Sequence, residues 1–481
     1  MNRKMVFFTI GRIVGLEAVL MLLPLGIALL YREDMIAAFL LPIAIAAGIG
    51  GGLMFFCKPK NRTIYARDGF VIVALAWIFV SLIGAIPFSL GGAVPTYVDA
   101  LFETVSGFTT TGASVISNIE AVTSHALLFW RSFTHWIGGM GVLVLMMALL
   151  PSDSGRFIHI MRAEMPGPAV DKMLPRLRDT AKILYLIYIV MTFIMIIFLR
   201  VGGMSVFESV IHAMGTAGTG GFGLKADSVG GYSPYLQWVI AIFMLLFSLN
   251  FNLYYFILLR RFKEAFTNSE LWWYFLVVGL SITVIACNIY PLYQNLPDTV
   301  RHAFFQGISI SSTSGFATVD FNQWPGLSKG ILLMLMFMGG CVGSTAGGLK
   351  MARVMLLLKT IRRDLKRALR PRVVGVVTLD GRRVDAASLS GMNTYFSLYM
   401  VILAVVFLLL CMEPFDFETN LTAVITCFNN VGPGFGGVGP AASFAEYSGW
   451  AKILLSFTML FGRLEIYPML FTLSLTTWTK K

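Results

Sequence analysis

The segment Thr109-Thr110-Thr111-Gly112-Ala113 returns in three related forms further along the chain. These read Gly218-Thr219-Gly220-Gly221-Phe222, Ser312-Thr313-Ser314-Gly315-Phe316 and Asn430-Val431-Gly432-Pro433-Gly434. Each of these four glycine segments precedes an apolar run long enough to cross a lipid bilayer. A single glycine beside threonine is common, but four matching segments can surround one axis and line it with backbone carbonyls. That pattern is typical of a filter for a dehydrated cation.

The composition places the chain among membrane proteins. Of its 481 residues, 57% are hydrophobic and only 13% are charged, and the mean hydropathy is +0.77. A soluble protein of this length needs more polar surface, so we expect a polytopic membrane protein. The net charge of +12 is confined to a few connecting segments, which favours membrane topology over nucleic-acid binding. The five cysteines form no CxxC pair and are expected to be buried free thiols.

Ten apolar runs have the length of about 20 residues that spans the hydrocarbon core as a helix. They are residues 10–31, 36–57, 69–90, 127–150, 182–201, 236–259, 271–290, 331–358, 393–412 and 450–477. The sequence therefore predicts an all-α membrane protein with ten spans.

Lysine and arginine are concentrated in alternate connections between these runs. The clusters follow the second, fourth, sixth and eighth runs, and the longest extends over residues 359–383. Because cytoplasmic loops carry an excess of basic residues, these connections and both termini are predicted to be cytoplasmic. The opposite connections carry many acidic residues, which would attract cations to the outer mouth. Translocated loops also simply lack basic residues, and this explains part of the bias.

From the third span onward, the chain repeats a unit of span, re-entrant segment and span. Each re-entrant segment has about a dozen mildly apolar residues, too few to cross, and leads into a glycine segment. Irregular backbone at this depth must be surrounded by protein, so the four units are expected to enclose a central pore. We assign an accessory two-helix segment to residues 1–66 and pore repeats to 67–178, 179–265, 266–385 and 386–481.

The residue types of the four segments suit a potassium ion, which sheds water only where oxygen dipoles replace its hydration shell. Glycine adopts the extended or left-handed backbone that turns successive carbonyls inward, and hydroxyl groups add oxygens at the edges. No acidic residue lies inside the segments. A tight helix-to-loop turn explains any one segment equally well but explains all four poorly.

A second informative region is the eighth run, in which glycines interrupt the helical pattern. The small residues that stand close together there are Gly339, Gly340, Gly343, Ser344, Thr345, Gly347 and Gly348. Each glycine inside a helix costs about 1 kcal/mol, so this stretch is expected to unwind or bend. Close packing of helices through small residues is the alternative explanation.

Arg463 stands in the middle of the last apolar run, where an arginine costs at least about 3 kcal/mol on insertion scales. Such a charge must find partners. Glu465 is the nearest acid, but two residues apart on a helix the two side chains point in different directions, so a partner in another span is expected. Lys350, at the end of the glycine-rich stretch, either acts with Arg463 or anchors its own helix end.

Four stretches resemble a known family: Trp130-Arg131-Ser132-Phe133-Thr134-His135-Trp136-Ile137-Gly138-Gly139-Met140-Gly141, Gly339-Gly340-Cys341-Val342-Gly343-Ser344-Thr345-Ala346-Gly347-Gly348, Asn429-Asn430-Val431-Gly432-Pro433-Gly434 and Phe461-Gly462-Arg463. They resemble the TrkH/TrkG branch of the Trk/Ktr/HKT family of potassium uptake proteins. The resemblance covers essentially the whole chain, including the accessory pair. It implies one filter glycine per repeat, a mobile gate loop under the filter, and a pore arginine near that loop.

The resemblance also implies a set of site residues. For the potassium filter these are Thr110, Thr111, Gly112, Gly220, Gly221, Phe222, Ser314, Gly315, Phe316, Val431, Gly432 and Pro433. Within that set, backbone carbonyls would bind the ion at Thr111, Gly112, Gly220, Gly221, Ser314, Gly315, Val431 and Gly432. For the gate they are Gly339, Gly340, Gly343, Ser344, Thr345, Gly347, Gly348, Lys350 and Arg463. Gly220 and Gly221 both remain candidates for the filter glycine of the second repeat. Glycine at Gly112 resembles the potassium-selective members, because sodium-preferring plant relatives carry serine there.

We therefore expect a potassium-translocating subunit of a bacterial inner membrane, with K⁺ as the transported ion and no organic cofactor. The family resemblance further implies a homodimer and a cytoplasmic nucleotide-binding ring of TrkA type docked on the basic loops. The alternative is a proton- or sodium-coupled secondary transporter, which would need buried acids and inverted repeats. An enzyme is not expected, because the sequence has no nucleophile–base or metal-ligand constellation.

Overall fold

The structure, a computed structural model, describes residues 1–60, 64–141, 177–372 and 375–478. Its helices are α1 (Arg3–Leu20), α2 (Leu22–Tyr31), α3 (Ile36–Phe56), α4 (Ala66–Gly84), α5 (Ile86–Leu90), α6 (Tyr97–Phe108), α7 (His125–Gly139), α8 (Leu177–Val201), α9 (Val206–Ala217), α10 (Pro234–Ser248), α11 (Phe251–Leu258), α12 (Phe262–Phe266), α13 (Ser269–Tyr293), α14 (Leu296–Ser311), α15 (Gly326–Met338), α16 (Met351–Leu369), α17 (Ala386–Leu410), α18 (Phe417–Asn429), α19 (Gly449–Arg463), α20 (Tyr467–Leu473) and α21 (Leu475–Trp478). The strands found in these ranges are β1 (Thr378–Leu379) and β2 (Arg382–Arg383), which form an antiparallel hairpin. The prediction of an all-α membrane protein is confirmed.

Some of the predicted spans are not continuous helices. Within the described ranges, six helices are long and apolar enough to cross a membrane, and a seventh counts if the bent pair α10 and α11 is one span. The other predicted runs, 127–150, 331–358 and 450–477, begin with helices of 13 to 15 residues that then end. Among the ten predicted spans, these three runs and the run at 236–259 are therefore interrupted helices, as was expected only for the eighth. The second half of run 127–150, the basic connection after it and the C-terminal lysines lie outside the described residues.

Helices α10, α15 and α19 end for local reasons. Between α10 and α11 the chain bends by 88° because the side chain of Asn250 caps the new helix, accepting a hydrogen bond from Asn252 N at 2.9 Å. Helix α15 stops at Gly339, whose φ of +66° is not helical. Helix α19 stops before Glu465 and Ile466, which both have positive φ. Helices α7, α10, α15 and α19 thus have similar lengths of 13 to 15 residues.

The re-entrant segments form one short helix in each repeat, α6, α9, α14 and α18, which we call the pore helices. They have 12, 12, 16 and 13 residues. A helix of 12 residues is about 18 Å long, roughly half of a bilayer crossing. Side chains of Thr96, Ser205 and Asp416 cap the starts of α6, α9 and α18. Their last residues are buried, so each pore helix delivers its end to the protein interior.

The accessory pair packs on the first repeat. Helices α1 and α3 meet through Gly11 and Gly50, so closely that a methyl group on Gly50 would lie 2.8 Å from the carbonyl oxygen of Gly11. In the turn before α3, the carboxylate of Glu33 accepts hydrogen bonds from Ser124 Oγ at 2.7 Å and His125 N at 2.6 Å, at the start of α7. Burial alone would raise the pKa of Glu33, but these hydrogen bonds outweigh it and lower that pKa.

Candidate functional site

All four pore helices end in the same backbone turn. The residues with positive φ just after the helices are Thr110, Thr219, Thr313 and Asn430, with φ between +54° and +56°. The next residue in each repeat then donates its N–H to the carbonyl oxygen five residues earlier. These bonds, each 2.9 Å long, are Thr111 to Ser106, Gly220 to Gly215, Ser314 to Ser309 and Val431 to Thr426. This Schellman-type closure ends the helix and leaves the following glycine in an irregular backbone.

The glycines that follow these turns form a closed ring. Gly112, Gly221, Gly315 and Gly432 have φ of +81°, +80°, +79° and +97°. A methyl group on Gly112 would lie 1.9 Å from the carbonyl oxygen of Gly220, and one on Gly221 would lie 2.0 Å from that of Ser314. Likewise, a methyl group on Gly315 would lie 2.4 Å from the carbonyl oxygen of Val431, and one on Gly432 would lie 2.7 Å from that of Thr111. Each segment therefore touches the next in chain order, and the fourth returns to the first.

The ring distinguishes the two adjacent glycines of the second segment. Gly221 has the positive φ shared with the other three repeats, whereas Gly220 supplies the carbonyl that faces Gly112. Gly220 is small for a different reason, because a methyl group there would lie 2.2 Å from Nδ1 of His135. Gly221 is thus the structural equivalent of Gly112, Gly315 and Gly432.

Chemically, the ring brings four backbone carbonyls together at the ends of four helices. Helix C-termini carry partial negative charge, which favours a cation. A side chain larger than hydrogen is excluded at every ring glycine by both φ and space. Backbone oxygens held in this way can replace the hydration shell of a monovalent cation.

Buried aromatic side chains pack next to the ring. Phe222 and Phe316, which follow ring glycines, are 2% and 0% exposed. The guanidinium of Arg131 lies 3.4 Å from the centre of the Phe222 ring, and His212 stacks on Phe316 at 6.0 Å. In the fourth repeat, Pro433 takes this place, with its Cδ 2.8 Å from a methyl group built on Gly315. The two phenylalanine side chains are thus packed into the protein, and only their backbone can border a central axis.

Buried ion pairs occur among the described residues, one within the first repeat and one between the first and the fourth, and sequence reasoning missed them. Arg131 donates to Glu103 Oε1 at 2.6 Å and to the carbonyl oxygen of Gly223, beyond the second segment, at 3.2 Å. Lys452 donates to Asp99 Oδ1 at 2.6 Å and so connects the fourth repeat to the first. The available signal was the presence of charged residues inside otherwise apolar helices, because such charges are kept only when paired.

We predict that the Arg131→Met substitution strongly destabilises the fold, so that most of the protein is no longer folded. It would leave the buried carboxylate of Glu103 without its counter-charge, which costs about 3–5 kcal/mol. The double variant Arg131→Met/Glu103→Gln should recover much of the loss. Lys329→Met is the matched control, because its pair with Glu418 is partly exposed and is worth at most about 1 kcal/mol. Thermal unfolding in detergent measures all three, and equal stability of the two single variants would contradict the prediction.

The glycine-rich stretch of the eighth run forms a loop, residues 339–350, directly against the ring segments. Gly347 N donates to Thr313 Oγ1 at 2.6 Å, in the third segment. A methyl group on Gly347 would lie 2.5 Å from the carbonyl oxygen of Asn429, just before the fourth. Gly339, Gly343, Gly348 and Lys350 all have positive φ, which accounts for the interruption of the helix. The ammonium group of Lys350 donates to the carbonyl oxygen of Ala346, so this side chain folds back on its own loop.

Arg463 bridges the loop to the first repeat. It donates to the carbonyl oxygen of Thr345 at 3.0 Å and to those of Gly138 and Gly139 at 2.6 and 2.8 Å. Glu465 does not pair with it but forms an ion pair with Arg353 on α16. The carbonyl oxygens that bind Arg463 thus lie in the loop and at the end of α7.

Comparison with known proteins places these features in a family. The family model TrkH, described as a cation transport protein, matches residues 35–477. The chain is 37% identical to the Trk system potassium uptake protein TrkH of Salmonella typhimurium, over 98% of this chain and 99% of that protein. It is 35% identical to TrkG of Escherichia coli K12, over 97% of both. The crystal structure of the potassium transporter TrkH from Vibrio parahaemolyticus superposes with a TM-score of 0.89, at 31% identity and full coverage of both chains. The chain therefore belongs to the TrkH family of cation transport proteins, and it is a multi-pass membrane protein of transport rather than an enzyme.

Proposed function

We propose that this chain is the potassium-translocating membrane subunit of a Trk-type uptake system. The observation that carries the proposal is the closed ring of Gly112, Gly221, Gly315 and Gly432, in which four backbone segments meet at the ends of four helices. Relatives of 37% and 35% identity are named Trk system potassium uptake proteins, which supports potassium as the ion. The five parts drawn from the sequence, with boundaries at 66, 178, 265 and 385, are proposed as the accessory segment and the four repeats.

In this proposal the ring segments are the selectivity filter. Potassium, the transported ion, would be held by backbone carbonyls of the residue pairs Thr111 and Gly112, Gly220 and Gly221, Ser314 and Gly315, and Val431 and Gly432. The side chains next to them keep the segments in register: Asn430 Nδ2 donates to Thr111 Oγ1 at 2.9 Å and thereby joins the fourth segment to the first. Such cross-links would fix the width of the ring and, with it, the preference for one ion.

Loop 339–350 and Arg463 are proposed as the gate. The loop contacts the third and fourth segments, and Arg463 joins it to the end of α7. A positive charge and a loop on one side of the ring would oppose cation passage. Movement of the loop would separate Thr345 from Arg463 and open the pore to cations.

The assembly implied by the family is also a proposal: a homodimer in a bacterial inner membrane, both termini cytoplasmic, with a TrkA-type nucleotide-binding ring. Residues 359–383 would dock that ring. Their described part includes the second half of α16 and the β hairpin, and Lys359, Arg362, Arg363, Lys366 and Arg367 lie along the helix.

Ion flux into proteoliposomes tests the proposal. We expect purified protein to pass potassium and rubidium faster than sodium, and we expect the flux to be insensitive to a pH gradient at fixed voltage. Sodium flux equal to potassium flux would refute the filter. Flux that follows the pH gradient would favour a proton-coupled transporter instead, for which the buried acid Glu17 on α1 would be the first candidate. Empty liposomes provide the baseline.

A further inference from the structure

Loop 339–350 is attached near both of its ends to a single carboxylate. Glu270 Oε1 accepts hydrogen bonds from Val342 N at 2.8 Å and from Ala352 N at 3.1 Å. Glu270 is the second residue of α13 and is only 5% exposed. The start of α13 is itself fixed, because the side chain of Asn268 caps it with a hydrogen bond of 2.9 Å from Leu271 N.

These two hydrogen bonds add to those that join the ends of the loop directly, from Met351 N to the carbonyl oxygen of Gly340 at 3.0 Å and from Leu349 N to that of Phe337 at 3.1 Å. Ala352 lies in the first turn of α16, where backbone N–H groups have no partner inside the helix. Val342 lies in the irregular part of the loop, between residues with positive φ. A buried carboxylate is a strong acceptor, and its hydrogen bonds stabilise a fold more than neutral ones do. Glu270 therefore joins Val342 and Ala352 through one acceptor, beside the direct backbone link between Met351 and Gly340.

The cytoplasmic hairpin is connected to the same point. Asp380, in the turn between β1 and β2, accepts a hydrogen bond from Ser269 N at 2.9 Å, and its own N–H donates to Ser269 Oγ at 3.3 Å. Ser269 directly precedes Glu270. The hairpin is tied to α16 as well, because Lys359 Nζ donates to the carbonyl oxygen of Thr378 at 3.0 Å. A force on the hairpin would thus reach the residue that holds the loop.

We propose that Glu270 is a positioning residue that holds loop 339–350 against the ring, and that Asp380 connects it to the cytoplasmic basic segment. A partner that displaces the hairpin would shift the start of α13, withdraw the carboxylate of Glu270 and loosen the loop at Val342 and at Ala352. That this release opens a gate rests on the proposed function, whereas the attachment itself does not.

The attachment can be measured without any flux. Cys341 is 1% exposed and lies in the loop beside Val342, so its alkylation by a water-soluble maleimide reports loop release. The other four cysteines are replaced by alanine. We expect Glu270→Ala to raise the alkylation rate by at least about tenfold, because the two hydrogen bonds from Val342 N and Ala352 N are lost. Asp380→Ala, at an exposed site, should raise it by a smaller factor. Glu264→Ala, which removes an exposed carboxylate paired with Arg261, is the matched control and should change nothing.

Glu270→Gln distinguishes positioning from general stability. Its amide oxygen can still accept both N–H groups, so it should keep the alkylation rate close to that of the parent. Glu270→Ala and Asp380→Ala that label no faster than Glu264→Ala would overturn the proposal. Flux of the same variants tests the gate separately: faster labelling with faster potassium flux and unchanged ion preference supports both ideas. Faster labelling with unchanged flux supports the attachment and refutes loop 339–350 as the gate.

Discussion

Gly221→Ala is expected to reduce potassium flux by at least about a hundredfold, which corresponds to about 3 kcal/mol. A methyl group on Gly221 would lie 2.0 Å from the carbonyl oxygen of Ser314, a backbone atom that cannot turn aside like a flexible side chain. The φ of +80° adds about 1–2 kcal/mol of strain for any residue with a Cβ atom. The ring must then open at this contact, and the distances between its oxygens change. Flux into proteoliposomes, normalised to the amount of folded protein, measures the effect.

Two other glycines provide the controls for this variant. Gly330 lies in α15 with open space around its Cα, so Gly330→Ala should leave flux unchanged. Gly203 has a φ of +97° but no atom within 4 Å of a built methyl group, so Gly203→Ala imposes backbone strain alone. We expect Gly203→Ala to lower the stability of the fold and to leave the ion preference unchanged. Normal potassium flux in folded Gly221→Ala would show that the ring is not the filter.

Arg463→Ala is expected to raise basal potassium flux severalfold. The substitution removes a positive charge and, among the described residues, the hydrogen bonds to the carbonyl oxygens of Thr345, Gly138 and Gly139. Loop 339–350 then loses its bridge to the first repeat, and a cation near the ring meets less repulsion. Rubidium tracer flux without any cytoplasmic partner measures the change.

Arg463→Lys separates the two causes. Lysine keeps the positive charge but lacks the planar guanidinium with which arginine contacts three carbonyl oxygens. Potassium flux close to that of the parent protein would therefore show that the charge forms the barrier. Flux as high as in Arg463→Ala would assign it to the bridge. Arg200→Ala removes an arginine in the last turn of α8 that donates to the carbonyl oxygen of Met204, and it should have no effect. Unchanged flux in Arg463→Ala would exclude this residue from gating.

Much of the architecture could be predicted from the sequence because its signals are local. Apolar runs identified the membrane-spanning helices, and the segments too short to cross became α6, α9, α14 and α18. The clustered glycines of residues 339–348 marked the loop, since glycine weakens a helix wherever it is placed. The choice between Gly220 and Gly221 depended on φ, which two adjacent identical residues do not reveal.

Other features depended on contacts that no local pattern encodes. The run at 236–259 contains no glycine or proline at its break, and only the capping side chain of Asn250 and its contact with the loop explain the bend. Glu465 looked like the neighbour of Arg463 but pairs with Arg353, more than a hundred residues away. Glu270 gave no signal of its role because its partners are backbone N–H groups 72 and 82 residues further along the chain. Long-range pairing of this kind is fixed by tertiary packing.

The ring of glycines is built from four unlike stretches of one polypeptide. A channel assembled from four identical subunits carries any substitution at every corner at once. Here a single substitution changes one of the four ring segments and leaves the other three unchanged. In the proposed filter, substitutions could therefore change the ion preference in small steps, one segment at a time, and the four segments could take different roles.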